Sequence, residues 1–83
     1  MAKLNIIGEQ LKEIRRTTVP HLSQADLAAR LHLLGISINQ SGISKIENGQ
    51  CEVTDVEVAA LAKVLKVPVA SLFGDYLLPD SNV

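Results

Sequence analysis

Apolar residues recur along this chain at intervals of three and four, the spacing that places side chains on one face of an α-helix. The first such set is Ile7, Leu11 and Ile14, and it predicts a helix from about Ile6 to Thr17. The chain therefore begins with an amphipathic helix whose apolar face packs against a core.

Three further helices are predicted from their N-terminal capping residues. Ser23, Asn39 and Thr54 each precede a segment with helical apolar spacing, and such side chains accept hydrogen bonds from the free backbone N–H groups of a helix start. The second helix is expected to end at Gly35 and the third at Asn48–Gly49. The residues expected to face the core are Leu27, Ala28, Leu31, Leu34, Ile43, Ile46, Val58, Leu61, Ala62 and Leu65.

A short fifth helix is expected from Val69 to Phe73, started by Pro68 and stopped by Gly74. No segment shows a convincing strand pattern. The sequence thus predicts an all-α fold, a compact bundle of five helices in one domain (residues 1–74) followed by a tail (residues 75–83).

Composition and charge restrict the possible roles of this domain. The net charge of −1 is unusual for a nucleic-acid binder, but it is unevenly distributed. Residues 1–46 carry six lysines and arginines and three acidic residues, whereas residues 47–83 carry two lysines and six acidic residues. The single Cys51 cannot form an intrachain disulfide, and no apolar run reaches membrane-spanning length, so a cytoplasmic location without membrane contact is expected.

The third helix carries the main functional signal. Ile43 and Ile46 fall on one side of it, and the opposite side carries Gln40, Ser41, Ser44, Lys45 and Asn48. Gln, Ser and Lys side chains can hydrogen-bond to base edges in the major groove of DNA. An ordinary solvated polar face explains the same composition equally well, so the composition of this helix does not decide between the two interpretations.

The order of the segments resembles the XRE family, the Cro- and phage-repressor-like helix-turn-helix regulators. IIGEQLKEIRR resembles the family's first helix, LSQADLAARL its first motif helix, and SGISKIENGQ its recognition helix with the stop that follows. VTDVEVAALAKVLKVPVASLFGD resembles the supporting helices. The resemblance covers roughly residues 6–74 and implies a lambda-repressor-like fold that binds double-stranded DNA and regulates transcription, with repression as the expected outcome.

The resemblance also implies roles for individual residues. The base-reading side chains are expected to be Gln40, Ser41, Ser44 and Lys45. The residues expected to contact phosphate are Ser23, Gln24, Asn39, Asn48 and Arg16. Arg15 and Glu47 match a pair that the family often uses as an internal ion pair. The functional unit is expected to be a homodimer on a palindromic operator.

Two features depart from the family pattern. The segment between Leu31 and Ser41 is about five residues longer than usual, which we interpret as an extra turn on the second helix and a longer connection, Gly35 to Ile38. Gly42 lies inside the third helix, where glycine lowers helix propensity by about 1 kcal/mol relative to alanine. Glycine here permits close approach to the second helix or to DNA, and close packing against the second helix is the expected reason for it.

Other functions find less support in the sequence. His21, His32 and Cys51 do not have the spacing of a metal site or a catalytic centre, so no enzyme activity, metal or cofactor is expected. The alternative function is a helix-turn-helix module, such as an antitoxin or anti-repressor, that acts chiefly through a protein partner. Leu72, Phe73, Tyr76, Leu77 and Leu78 form either a homodimer interface or a plug for the core, and the sequence leaves both interpretations open.

Overall fold

Five α-helices occur within residues 3–74, the part of the chain that the computed structural model describes. They are α1 (Gly8–Thr17), α2 (Gln24–Leu33), α3 (Gln40–Glu47), α4 (Asp55–Leu65) and α5 (Val69–Phe73). No β-strand occurs within these residues, which confirms the all-α prediction. None of the described helices is long and apolar enough to cross a membrane. The predicted tail, 75–83, lies outside the described residues.

One hydrophobic core joins all five helices. Helix α3 packs against α1 and α2, while α4 packs against α2 and α5, and α5 also contacts α1. The fully buried large side chains are Ile7, Leu11, Leu27, Leu31, Ile43, Leu61 and Leu72. Burying one such side chain stabilises the fold by about 1.5–3 kcal/mol, so the predicted apolar faces account for most of the packing.

The helix starts predicted from capping residues are present in the structure. Ser23 Oγ accepts a hydrogen bond from the Asp26 N–H at 3.0 Å, and Asp26 Oδ2 accepts one from the Ser23 N–H at 3.2 Å. Thr54 and Glu57 make the same reciprocal pair at the start of α4, at 3.1 and 2.8 Å. These capping boxes fix where α2 and α4 begin.

The connection between α2 and α3 differs from the prediction at Leu34. Helix α2 ends at Leu33, and Leu34 is 42% exposed, so its assignment to the buried face was wrong. The reason is the turn that follows: Gly35 adopts φ +83°, its N–H donates to His32 O, and the Ile36 N–H donates to Leu31 O. This Schellman motif turns the chain so that Ile36, rather than Leu34, packs against the core. The connection therefore runs from Leu34 to Asn39, one residue longer at each end than expected.

The explanation expected for Gly42 was also wrong. A Cβ atom at this position would lie 2.8 Å from Ile38 Cγ2 and 3.4 Å from Asn39 Oδ1, and no atom of α2 is among its nearest neighbours. Gly42 therefore makes room for the residues that enter α3, and its N–H donates to the capping oxygen of Asn39 at 2.8 Å.

At Leu72 the structure favours the core interpretation over the dimer interface. The Leu72 side chain is completely buried in the main cluster, and Phe73 is half-buried against it. Tyr76, Leu77 and Leu78 lie outside the described residues.

Candidate nucleic-acid interface

Helix α3 has one face in the core and one face in solvent. Ile43 and Ile46 are buried, whereas Gln40, Ser41 and Lys45 are exposed. Ser44, the fourth residue predicted to read bases, is half-buried at the edge of the exposed face. Within residues 3–74, none of these four polar side chains hydrogen-bonds to another part of the domain. Their donors and acceptors are therefore available to a ligand.

The C-terminal end of α3 is held by a buried ion pair with α1. Arg15 Nε donates to Glu47 Oε2 at 2.6 Å, and Arg15 Nη2 donates to Glu47 Oε1 at 3.1 Å. The third guanidinium nitrogen, Nη1, donates to the carbonyl of Leu22 at 3.0 Å. The side chains are 9% and 2% exposed, so water screens this two-point contact little. Arg15 and Glu47 thus act inside the domain.

Gln24 joins α2 to the same carboxylate. Its Nε2 donates to Glu47 Oε1 at 3.0 Å, so side chains from α1 and α2 converge on one residue of α3. This bond engages the Gln24 side chain inside the domain, while its backbone N–H is one of the free donors at the α2 N-terminus. The phosphate contact of Gln24 stays a prediction.

Asn5 is a structural residue of this site that sequence reasoning missed. Its Oδ1 accepts hydrogen bonds from the N–H groups of Ile7 and Gly8, at 3.1 and 2.9 Å. Its Nδ2 donates to the carbonyls of Ile46 and Cys51, at 3.1 and 2.8 Å. One buried amide therefore starts α1 and holds the end of α3. An Asn three residues before a helix is the available sequence signal for the first role, but no local pattern indicates the second.

Gly8 is the second residue missed, and it explains how closely α1 and α3 approach. A Cβ atom here would collide with the carbonyl oxygen of Ile46 and lie 2.8 Å from that of Glu47. Both are backbone atoms and cannot move aside as a side chain does. Glycine at this position therefore lets the first turn of α1 lie directly on the end of α3.

The C-terminus of α3 stops in a second Schellman motif. Gly49 has φ +71° and donates to Ile46 O, and the Gln50 N–H donates to Lys45 O at 2.8 Å. Asn48, a predicted phosphate contact, is exposed at this end. The Asn-Gly stop expected from the sequence is thus present in the structure.

Of the remaining residues predicted to contact phosphate, two cap helices and one is exposed to solvent. The side chains of Ser23 and Asn39 accept hydrogen bonds from their own helices, leaving backbone N–H groups at the two helix starts to meet an anion. Arg16 is exposed on α1, next to the buried Arg15. Lys12, Arg30 and Lys45 are also exposed cations.

Cys51 follows the α3 stop and is half-buried. Burial, with a smaller contribution from the Glu57 carboxylate, raises the pKa of its thiol. A raised pKa lowers the thiolate fraction at neutral pH, which is unfavourable for nucleophilic chemistry. Within residues 3–74, no three side chains of the His, Cys, Asp or Glu type are grouped as metal ligands.

Comparison with known proteins gives two matches to this arrangement. A family model described as a helix-turn-helix domain matches residues 6–72, which includes α1 to α4 in full. The chain is also similar to the crystal structure of the restriction-modification controller protein C.AhdI from Aeromonas hydrophila, with a TM-score of 0.69 and 31% sequence identity. That match covers 84% of this chain and 96% of the C.AhdI chain. No curated protein matches the chain.

Proposed function

The chain belongs to the XRE-type helix-turn-helix family of DNA-binding transcriptional regulators, and on this premise we propose that it reads a specific duplex site with α3 in the major groove. The base-reading residues are Gln40, Ser41, Ser44 and Lys45. The proposed role is recognition, without catalysis and without a cofactor.

The observation that carries this proposal is the contrast between the two faces of α3. Its inner face is fixed by Ile43 and Ile46, and its end is fixed by the bonds to Glu47, so the helix has a defined orientation. Its outer face presents polar side chains that make no hydrogen bond within the described domain. A rigid helix whose outward polar groups have no partner within the described domain suits readout of base edges, because little conformational freedom is lost on binding.

The phosphate contacts are proposed to flank α3. The free N–H groups at the start of α2, beside Ser23 and Gln24, lie at the positive end of the helix dipole. They can therefore bind one phosphate. Asn39 and Asn48 lie at the two ends of α3, and Arg16 adds a cation from α1. These contacts set the register of the helix on DNA, while the base contacts choose the sequence.

We propose that the functional unit is a homodimer on a two-fold-related operator. One recognition helix contacts too few base pairs to define a site in a genome, and two helices one turn of DNA apart solve this problem. The likeness to C.AhdI, a restriction-modification controller protein, supports a controlling role at a promoter. The proposed outcome is repression, by occupying a promoter.

The proposal is tested by selecting bound duplexes from a random library and then titrating salt. We expect recovery of a short two-fold-related motif. The logarithm of affinity should fall with the logarithm of salt concentration by about 0.9 for each phosphate neutralised. Arg16→Gln should lower that slope by about one unit, while Arg15 is unsuitable for this comparison because it is buried.

The same experiment can contradict the proposal. If the selection enriches no motif and the affinity hardly depends on salt, the chain does not recognise DNA. That result would favour the alternative of a helix-turn-helix module acting through a protein partner.

A further inference from the structure

Helix α4 carries apolar residues beyond those that form its buried face. Every residue in it other than Asp55, Glu57 and Lys63 is apolar. A helix that is apolar on nearly all sides is usually covered on all sides. Its buried face within the domain consists of Val58, Leu61, Ala62 and Leu65.

The side of α4 opposite this buried face is only partly covered within the domain. Val56 is 61% exposed and Ala59 is exposed, whereas Ala60 and Val64 are half-buried and pack partly against the core. Together with Lys63, these residues form what we call the outer face of α4. Its middle, at Ala59 and Ala60, is occupied by small side chains, so another helix can approach closely there.

Charges of opposite sign lie at the two ends of the outer face. Asp55 is exposed at the N-terminal end, and Lys63 and Lys66 are exposed at the C-terminal end. Within the described part of the chain, none of these three forms an ion pair with another side chain. Asp55 and Lys66 are separated by about 16 Å along the helix axis, at 1.5 Å per residue.

A depression adjoins the positive end of the outer face. It has a volume of about 250 Å³ and combines apolar side chains with cations, without any acidic residue. Its most exposed apolar residue, Leu33, is 85% exposed. The lining residues are Arg30, Leu33, Leu34, Lys63, Val64 and Lys66.

We propose that a second copy of this chain covers the outer face of α4, with the two α4 helices antiparallel about a two-fold axis near Ala60. In this arrangement Asp55 of each copy lies opposite Lys66 of the other, and Val56 of each copy enters the depression beside Val64. The inference rests on the homodimer in the proposed function and assigns its surface.

The charge pattern selects a second copy as the occupant. A two-fold interface requires a patch that complements itself after a half-turn, and a helix with an acidic end, a small-residue middle and a basic end meets this requirement. The antiparallel helix dipoles add to the attraction. A separate protein would need the same acidic and basic ends in the same register.

A charge-exchange experiment tests this arrangement with the full chain, by sedimentation equilibrium in the absence of DNA. Asp55→Lys alone and Lys66→Glu alone each place two like-charged pairs at the interface, so each should raise the dimer dissociation constant about tenfold or more. The double variant restores both pairs and should return the constant to near the wild-type value. Glu13→Lys, which makes the same charge change as Asp55→Lys but on α1, is the control and should leave it unchanged.

Two further measurements keep the result interpretable. Circular dichroism establishes that each variant is folded. Ala59→Gln, which keeps the charge and a good helix former, should also weaken the dimer by blocking close approach. A monomeric wild type, single variants that dimerise as well as the wild type, or a double variant no better than the single ones overturns the proposal.

Binding to a duplex with one half-site separates this proposal from the proposed function. The single variants should bind one half-site as the wild type does, because the α3 face is unchanged. A wild type that dimerises but does not bind the half-site contradicts the proposed function, whereas the proposed α4 interface is then still supported.

Discussion

Arg15 and Glu47 form the contact that sets the position of α3, with Nε and Oε2 2.6 Å apart and both side chains almost completely buried. Arg15 belongs to α1, and the same carboxylate receives a bond from Gln24 on α2. One residue of α3 therefore links this helix to both neighbouring helices. The residues proposed to read bases lie within two turns of it, so their placement depends on this ion pair.

Removing one partner of this pair should destabilise the domain strongly. Glu47→Ala leaves the Arg15 guanidinium buried without its carboxylate, and such losses lower the free energy of unfolding by about 3–5 kcal/mol. The measurement is denaturation by guanidinium chloride, followed by circular dichroism.

Glu9→Ala is the matched control for that prediction. The Glu9 carboxylate lies 2.7 Å from Lys3 Nζ, but both side chains are largely exposed, so its loss should change stability little. An unchanged free energy of unfolding for Glu47→Ala, with DNA binding lost, would contradict the structural role and indicate direct contact with DNA.

Gly8→Ala should destabilise the domain although alanine is the better helix former. The added methyl group would meet the backbone carbonyls of Ile46 and Glu47, and overpacking of this kind costs about 1–3 kcal/mol. Thermal unfolding measures the change, with Lys12→Ala, one turn later on the exposed side of α1, as the control. A Gly8→Ala variant as stable as the wild type would show that α1 and α3 can separate freely.

Asn5→Asp should make stability depend on pH in an unusual direction. At neutral pH it replaces the amide N–H donors with a carboxylate facing the carbonyls of Ile46 and Cys51, which leaves buried groups unsatisfied at about 1–3 kcal/mol each. Burial and these carbonyls raise the pKa of the new carboxyl, whereas the N–H groups of Ile7 and Gly8 lower it. We expect the first effect to be larger, so that protonation at lower pH restores one donor and part of the stability. Asn5→Ala, which cannot be protonated, should show no such recovery.

Asp26 should contribute to the loss of stability in acid. Hydrogen bonds from the Ser23 N–H and then the Ser23 hydroxyl hold the pKa of the Asp26 carboxyl below its usual value of about 3.9. Because the folded-state pKa is lowered, the stabilisation is present above the unfolded pKa and is lost as pH falls through the folded one. Asp26→Asn should therefore be less stable at neutral pH and lose less stability on acidification. The melting temperatures of the two proteins are measured at several acidic pH values. If both fall equally with pH, this capping bond is not coupled to ionisation of Asp26.

The sequence was informative where local chemistry determines the structure. Caps such as Ser23 and Thr54 and the stop at Gly49 depend on neighbouring residues, and these signals, with the apolar spacing, predicted the five-helix fold. The family was predicted from the resemblance of the segments to known regulators, and both predictions were confirmed. Asn5 and Gly8 were missed because their partners lie some 40 positions away, at Ile46. The spacing of apolar residues along the chain gives no information about a contact between residues so far apart in sequence.

Errors in the α2–α3 connection have a similar origin. Leu34 has the helical spacing of a core residue, but the turn at Gly35 ends α2 before it and brings Ile36 inward. Spacing alone does not show where a Schellman motif will close. The roles of Gln40, Ser41, Ser44 and Lys45 came from the family resemblance and remain predictions.

Base reading by α3 is the central claim, and the specificity of Gln40→Ala tests it most directly. Gln40 is the first residue of α3, is exposed, and makes no hydrogen bond within the described domain. Each variant is titrated against the selected duplex, duplexes altered at single base pairs, and random DNA, with Gln10→Ala on α1 as the control. We expect Gln40→Ala to lose about 1–3 kcal/mol at the selected site, to tolerate substitution at one base pair, and to bind random DNA as before. Equal affinity and equal sequence preference for Gln40→Ala, Gln10→Ala and the wild type would contradict the claim.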